Sequence, residues 1–219
     1  MFSAGKDSTC VLSCVSKSKL RDKSIIVYNE IIGNTHILNV IQAYYVVSKL
    51  FGEIKHYIVK TPEQLLVTVK RIMINHDTPS FIHIKSTSSD GLDFKKFIEK
   101  YNKFRRIRLC HKEFKDRYWR ILPSIKGQYR FFVVGVKTTD SHVRRKRWNN
   151  YVNTFRTNKY IDIAISPIYD FTNNEIWSII KSNGIVLETY NLCNDSLNCS
   201  YCPFRGKRKQ QVIDEFMSR

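Results

Sequence analysis

Ser3-Ala4-Gly5-Lys6-Asp7-Ser8-Thr9 opens this chain, and Cys10, Val11, Leu12 and Val15 follow at helical spacing. Small residues let backbone N–H groups approach an anion closely, and a starting helix adds the positive end of its dipole. Lys6 brings a full charge, and Ser8 and Thr9 bring hydroxyl donors. These types in this order predict a phosphate cradle. The spacing is neither Gly-x4-Gly-Lys-Ser/Thr nor Gly-x-Gly-x-x-Gly. Read as a bare pattern, it also fits an ordinary glycine turn before a capped helix.

A second polar stretch, Gly135-Val136-Lys137-Thr138-Thr139-Asp140-Ser141-His142-Val143-Arg144-Arg145, follows a β-branched apolar run. A cationic loop at the carboxyl end of a strand can hold an anion, which makes Lys137, Ser141, Arg144 and Arg145 candidates for a sulfate, a phosphate or a second substrate. The same stretch also suits a plain strand-to-helix connection.

The elements that must position these residues follow from periodicity. Residues 7–18 read as a helix and 24–28 as a buried strand. Residues 36–50 place Ile37, Val40, Ile41, Tyr44 and Val47 on one helical face. Residues 56–59 read as a strand. Thr61 then caps a helix with Pro62 in its first turn and Leu66, Val69, Ile72 and Met73 as its apolar positions. Residues 80–84 fit either element, 91–104 read as helix, and 131–136 and 161–165 as strands. Thr172 with Glu175 forms a capping box, and Gly184 ends that helix. Strands alternating with helices predict an α/β fold, a doubly wound parallel sheet with helices on both faces. Ligands then bind at the carboxyl ends of the strands, where the cradle and the segments after Tyr28 and Val136 would meet.

The loop resembles the Ser-Gly-Gly-Lys-Asp-Ser/Thr pyrophosphate loop of the PP-loop ATP pyrophosphatases, with Ala4 in place of the usual second small residue. The segment from Gly135 resembles the Gly-x-Arg-x-x-Glu-Ser-x-x-Arg stretch of the phosphoadenosine phosphosulfate (PAPS) reductase branch. Lys137 stands there for Arg and Asp140 for Glu, and the lysine gives up bidentate geometry. Ser166 to Trp177 is similar to that branch's Pro-Ile-x-x-Trp-Thr-x-x-Glu-Ile-Trp segment, with Phe171 for the first Trp. The likeness spans about residues 2–204. It implies a Rossmann-like domain of the adenine nucleotide alpha hydrolase type over 1–184 and a Cys-containing basic appendage over 185–219. It implies ATP or a related adenine nucleotide with Mg2+, its phosphates on Ser3, Ala4, Gly5, Lys6, Asp7, Ser8 and Thr9. Tyr28, Asn29, Glu30 and Gly135 would lie about the adenine and ribose. Lys6 and Asp7 are the expected catalytic pair: Lys6 would stabilise the pyrophosphate, and Asp7 would orient the loop or contact magnesium. The family's fold needs a strand ahead of the loop, where only Met1 and Phe2 stand. Either the true start lies upstream or another segment fills that slot.

Six cysteines are present. Cys10 and Cys14, four apart on the first helix, read as small core residues. Cys199-Ser200-Tyr201-Cys202-Pro203 is a C-x-x-C turn able to aim two thiolates at one metal. Cys110 and Cys193 could complete four ligands, and His111 could replace one of them. The resemblance favours a four-iron four-sulfur cluster, with Zn2+ as the alternative and redox thiols as the third reading.

Thirty-seven basic residues against nineteen acidic ones give a net charge of +18. Such a field attracts polyanions, so tRNA or DNA enters as a partner through the basic surface. The clusters 103–120, 144–147 and 205–209 carry aromatic neighbours (Phe104, Tyr118, Trp119, Trp148, Tyr151, Phe155) that suit base stacking or, equally, a half-buried helix. A run of about eighteen apolar residues is absent, which excludes a spanning helix as a sequence expectation. No secretory pattern opens the chain, and a cytoplasmic location is expected.

The leading expectation is therefore a PAPS reductase-like enzyme that cleaves at an α-phosphate, in sulfur metabolism or in sulfur transfer to a nucleic acid. PAPS reduction itself is not expected, since Glu215-Phe216-Met217-Ser218-Arg219 lacks the family's Glu-Cys-Gly-x-His tail. The alternative is a subunit that binds nucleotide or nucleic acid within a larger complex and has lost catalysis. A homodimer is compatible with either.

Overall fold

The computed structural model describes residues 2–75, 78–101, 109–120, 130–139, 148, 150–156, 161–200 and 211. Three strands, β1 (Ile25–Ile31), β2 (Lys55–Val59) and β3 (Ser80–Ser86), form a parallel sheet in the order β1-β3-β2. The fold is mixed α/β and compatible with a Rossmann-like arrangement.

The segment that fits either element, 80–84, is the middle strand. Its sequence hides this because His83 and Lys85 interrupt the apolar run. His83 is nonetheless buried, because both ring nitrogens find partners: Nδ1 meets the Tyr44 hydroxyl at 2.9 Å and Nε2 meets Glu30 at 2.8 Å. A buried polar group with its bonds satisfied costs little.

Successive residues of a strand face opposite ways. Ile26, Tyr28 and Phe81 enter a core shared with α1 (Lys6–Ser16) and α2 (Ile37–Phe51). Val27, Ile82 and Ile84 enter a second core with α3 (Pro62–Ile74). Thr61 caps α3, its hydroxyl accepting from Gln64 N at 3.3 Å. The expected helix at 91–104 is shorter. Gly91 turns at φ +77°, Asp93 accepts from Lys96 N, and α4 covers Phe94–Lys100. A further stretch runs α5 (Leu109–His111), a π turn (Lys112–Asp116) and α6 (Arg117–Arg120). Tyr118 of α6 joins the second core.

The face of α2 differs from the expected one. Ile37 and Ile41 are 61% and 57% exposed, while Asn39, Gln42, Ala43, Val46 and Val47 are buried. The apolar period is real but rotated, because two amides on α2 have a use inside the protein that is described below.

A second sheet holds β4 (Arg130–Val133), β5 (Val152–Arg156) and β6 (Ile161–Ile165) in the order β4-β6-β5. β4 and β6 are parallel, as expected, but β5 is antiparallel to β6 and no strand was expected there. Only residues 157–160 separate β5 from β6, too few for the crossover that a parallel pair needs. The expected strand 131–136 ends at Val133, and the chain then bends toward the head of α1. Two helices follow, α7 (Asn173–Ser182), carrying the expected capping box at Thr172 and Glu175, and α8 (Glu188–Cys193). No helix among the described residues is long and apolar enough to cross a membrane.

The core around α3 gives a first prediction. Leu65 is 1% exposed among Val59, Val69 and Ile82. Leu65→Ala is expected to cost about 2–5 kcal/mol, read as a lower urea midpoint with an unchanged slope.

Candidate phosphate-binding site

The site begins where Phe2 meets β1. Its N–H donates to Val27 O at 2.8 Å, and Phe2 forms a parallel bridge with Tyr28. The chain then turns sharply: Ala4 has φ +54°, the left-handed region that costs an alanine about 1–2 kcal/mol. Two side chains of α2 hold that turn from beneath. Asn39 Nδ2 donates to Ser3 O at 3.2 Å and also to Ser196 O. Gln42 Nε2 donates to Ala4 O at 2.7 Å and to Thr189 Oγ1 at 3.0 Å, and Gln42 Oε1 accepts from Thr189 N at 3.0 Å. The loop carbonyls are therefore tied inward. Ser8 closes the loop, donating from its hydroxyl to Gly5 O at 2.9 Å with Ser3 Oγ 3.1 Å away.

Gly5 caps α1 without a side-chain bond, and Lys6 N donates to the Tyr190 hydroxyl at 3.3 Å. Among the described residues no acceptor is bonded to the amides of Asp7 or Ser8. The first turn of a helix always leaves such donors, and an anion is one way to satisfy them.

Two lysines converge in front of this turn. Lys6 Nζ lies 2.9 Å from Asp7 Oδ1 and 2.9 Å from Asn173 Oδ1. Lys137 Nζ lies 3.1 Å from the same Asp7 oxygen and 2.9 Å from the same Asn173 oxygen. Two ammonium groups against one carboxylate leave a net positive charge. Burial holds the Lys6 ammonium below the ordinary lysine range; Asp7 opposes that shift and Lys137 adds to it. Asn173 is the first residue of α7, so a second helix N-terminus faces the same spot.

Lys137 arrives there because β4 ends against α1. A Cβ on Gly135 would stand 3.4 Å from the backbone carbon and Cβ of Asp7, so the two segments pack closely there. Ser166 secures the bend: its hydroxyl donates to Val136 O at 2.6 Å and accepts from Val136 N at 3.2 Å.

The structure thus brings together Ser3, Ala4, Gly5, Lys6, Asp7, Ser8, Gly135 and Lys137. Thr9 turns inward instead, fully buried, with no partner for its hydroxyl among the described residues. Tyr28 and Asn29 also point their side chains into the core. The Tyr28 hydroxyl donates to Asn39 at 2.6 Å, and burial pushes its pKa far above the usual phenol range. Asn29 Nδ2 donates to Phe114 O at 2.7 Å. Glu30 is paired with His83. Ser141, Arg144, Arg145 and Cys202 lie outside the described residues, as do the basic clusters 144–147 and 205–209. Of the aromatics among the basic stretches, Tyr118 and Trp148 are buried and cannot present a face to a base.

Cys110 and Cys199 pack on one apolar cluster with Phe97 and Phe114, and Asn34 Nδ2 lies 3.2 Å from Cys199 Sγ. Cys193 instead turns its thiol back onto its own helix, donating to Thr189 O at 3.0 Å. His111 pairs with Asp116 at 3.0 Å. Among the described residues no group of three His, Cys, Asp or Glu side chains could hold a metal ion. On α1, the hydrogen bond between the two thiols pulls Cys14 down to about 7, whereas that bond and burial push Cys10 up.

Asn39, Gln42, Asn173 and Tyr190 were not expected from sequence. The amides of Asn39 and Gln42 carried a signal: they sit three apart on one face of a helix otherwise rich in apolar residues. Tyr190 carried none. No protein-family model matches the chain, and no curated protein matches it.

The strut on α2 is testable. Gln42→Ala would strand Ala4 O and Thr189 N in the interior, costing about 1–3 kcal/mol. Ile41→Ala, one residue away on the exposed side, is expected to change stability by less than about 0.5 kcal/mol. Chemical denaturation of the two variants checks the contrast.

Proposed function

We propose that residues 3–8, with Lys137 and Asn173, bind the phosphates of an adenine nucleotide, and that the protein is a PP-loop enzyme cleaving at the α-phosphate. The observation that carries this reading is the pair of ammonium groups meeting at the open first turn of α1. In such a reaction an acceptor oxygen attacks the α-phosphorus, the α–β bridging bond breaks, and pyrophosphate leaves with the charge. Lys6, Lys137 and the amides of Asp7 and Ser8 would stabilise that growing charge, fixed in place before the reaction. Asp7, held between two lysines, fits the part of orienting them better than that of a magnesium ligand; the metal would travel with the nucleotide. The finer fold reading, a doubly wound sheet with residues 185–219 as an appendage, belongs to the same proposal.

Among the described residues Cys110, Cys193 and Cys199 form no group of three that could hold a metal ion, and Cys202 lies outside them. The net charge of +18 fits a polyanionic acceptor such as tRNA or DNA. An acceptor of that kind would bind with a steep loss of affinity as salt rises.

Titration with pyrophosphate and ATP tests the reading. Lys6→Ala is expected to weaken pyrophosphate about 10- to 100-fold, the loss of one charge-assisted bond. ATP should release pyrophosphate with wild-type protein and not with Lys6→Ala. Undiminished binding to Lys6→Ala contradicts the site. Binding without pyrophosphate release leaves a nucleotide-binding subunit in place of an enzyme.

The lowered Lys6 pKa adds a pH dependence. A bound anion favours the charged ammonium, so binding takes up a proton wherever free Lys6 is neutral. Affinity should be full below the depressed Lys6 value and fall as pH rises through it, at a lower pH than an ordinary lysine would give. Calorimetry across that range in buffers of different ionisation heat reads the proton uptake.

A further inference from the structure

Tyr190 reaches the loop from α8, and its hydroxyl accepts from Lys6 N at 3.3 Å. A phenol oxygen can accept one hydrogen bond and still donate its own proton. The accepting side is taken here by the first amide of α1. Among the described residues no oxygen or nitrogen accepts the Tyr190 proton. A hydroxyl brought this far into a protein with its donor unused forgoes a bond that a ligand could restore.

The hydroxyl is fixed in place from more than one side. The Tyr190 ring meets Trp177 of α7 edge-on, with centroids 5.4 Å apart and planes at 81°. Both rings pack against the core that α1 and α2 share. The preceding residue, Thr189, is tied to Gln42 through its N–H and its hydroxyl. Gln42 is also the side chain that holds Ala4 O. One amide of α2 therefore sets the spacing between the loop and the helix that carries Tyr190. A Cβ on Gly5 would stand 3.4 Å from the Tyr190 hydroxyl oxygen and 3.3 Å from Ser196 Cβ, so the hydroxyl lies directly against the loop backbone.

The proton stays on this oxygen at neutral pH. Burial pushes the Tyr190 pKa up to about 12; the Lys6 amide opposes that shift, and the Asp195 and Asp7 carboxylates add to it. Accepting from an amide also polarises the O–H bond and makes it a better donor.

We infer that Tyr190 is a ligand-binding residue of the phosphate site: its hydroxyl takes the Lys6 amide on one side and donates to an oxygen of the bound anion on the other. This role rests on the phosphate-binding reading above and extends it to a residue outside the loop. The anion would then meet the amides of Asp7 and Ser8 together with the Tyr190 O–H, beside the two ammonium groups. Since the accepting side is occupied, Tyr190 can only donate, and the oxygen it meets carries no proton of its own, as in an ionised phosphoryl group. The opposite role is that of a plug, a hydroxyl sitting on an amide that the anion would otherwise take. The two roles differ in sign.

Calorimetric titration with pyrophosphate at neutral pH compares wild-type protein, Tyr190→Phe, and protein carrying 3-fluorotyrosine at position 190, with melting temperatures read without ligand. Phenylalanine keeps the ring against Trp177 and removes only the hydroxyl. Tyr190→Phe is expected to bind pyrophosphate about tenfold more weakly, the worth of one hydrogen bond to a charged group. Fluorine makes the hydroxyl a stronger donor and a weaker acceptor, so the fluorotyrosine protein is expected to bind more tightly than wild type. It keeps every contact of the ring, and it decides the matter if Tyr190→Phe melts early. Weaker or unchanged binding by the fluorotyrosine protein overturns the proposal, since the oxygen would then serve only to accept from Lys6 N. Unchanged or tighter binding by Tyr190→Phe overturns it as well, leaving a spectator or a plug. Wild-type protein that takes up no pyrophosphate removes the phosphate site itself, a failure distinct from either of these.

Discussion

The loop at the head of α1 can face its N–H groups outward only because its carbonyls are taken care of inside. Ser3 O and Ala4 O each receive an amide donor from α2, and those donors, Asn39 and Gln42, are buried. A turn with φ +54° at an alanine is unfavourable in isolation. It persists because leaving either carbonyl unpaired in the interior would cost more. Gln42 uses the rest of its amide on Thr189, and Asn39 accepts from Tyr28. The turn, α2, β1 and the α8 region are thus one hydrogen-bonded unit.

That constraint explains which parts of the site were legible in the sequence. The tight turn leading into α1 was, because small residues and a helix start are local features of residues 3–9. The terminal caps at Thr61 and Thr172 were too, since each is decided within about four residues. The buried face of α2 was not. Ile37 and Ile41 advertise an apolar stripe, yet the buried stripe contains Asn39 and Gln42, whose partners lie 36 and 38 residues earlier in the chain. Likewise β3 was masked by His83, which is acceptable inside only because Tyr44 and Glu30 wait on either side. β5 was missed because its pairing depends on a neighbour across a short connection, not on an apolar period of its own. The expected strand 24–28 stopped short: β1 runs on to Ile31, so Tyr28 and Asn29 lie within it, and their side chains are spent on Asn39 and Phe114.

The electrostatics have the same long-range origin. Lys6 announces itself in the loop, whereas Lys137 comes from a segment 131 residues later and reaches Asp7 because the chain past β4 packs against the head of α1. Lys137 is 4% exposed. A buried ammonium is tolerated when paired, and here Asp7 and Asn173 supply the pairing. Asp7 therefore serves to gather two cations rather than to cancel them. With one carboxylate for two lysines, the positive charge remains at the mouth of α1, where the helix dipole adds to it.

The most direct measurement follows the backbone amides of Asp7 and Ser8 by two-dimensional 15N NMR as pyrophosphate is added. The account predicts that these two resonances move together and early, with Lys6 and the Gly135 amide close behind. Saturable binding that leaves Asp7 and Ser8 unmoved, with the shifts confined to basic segments elsewhere in the chain, would contradict it.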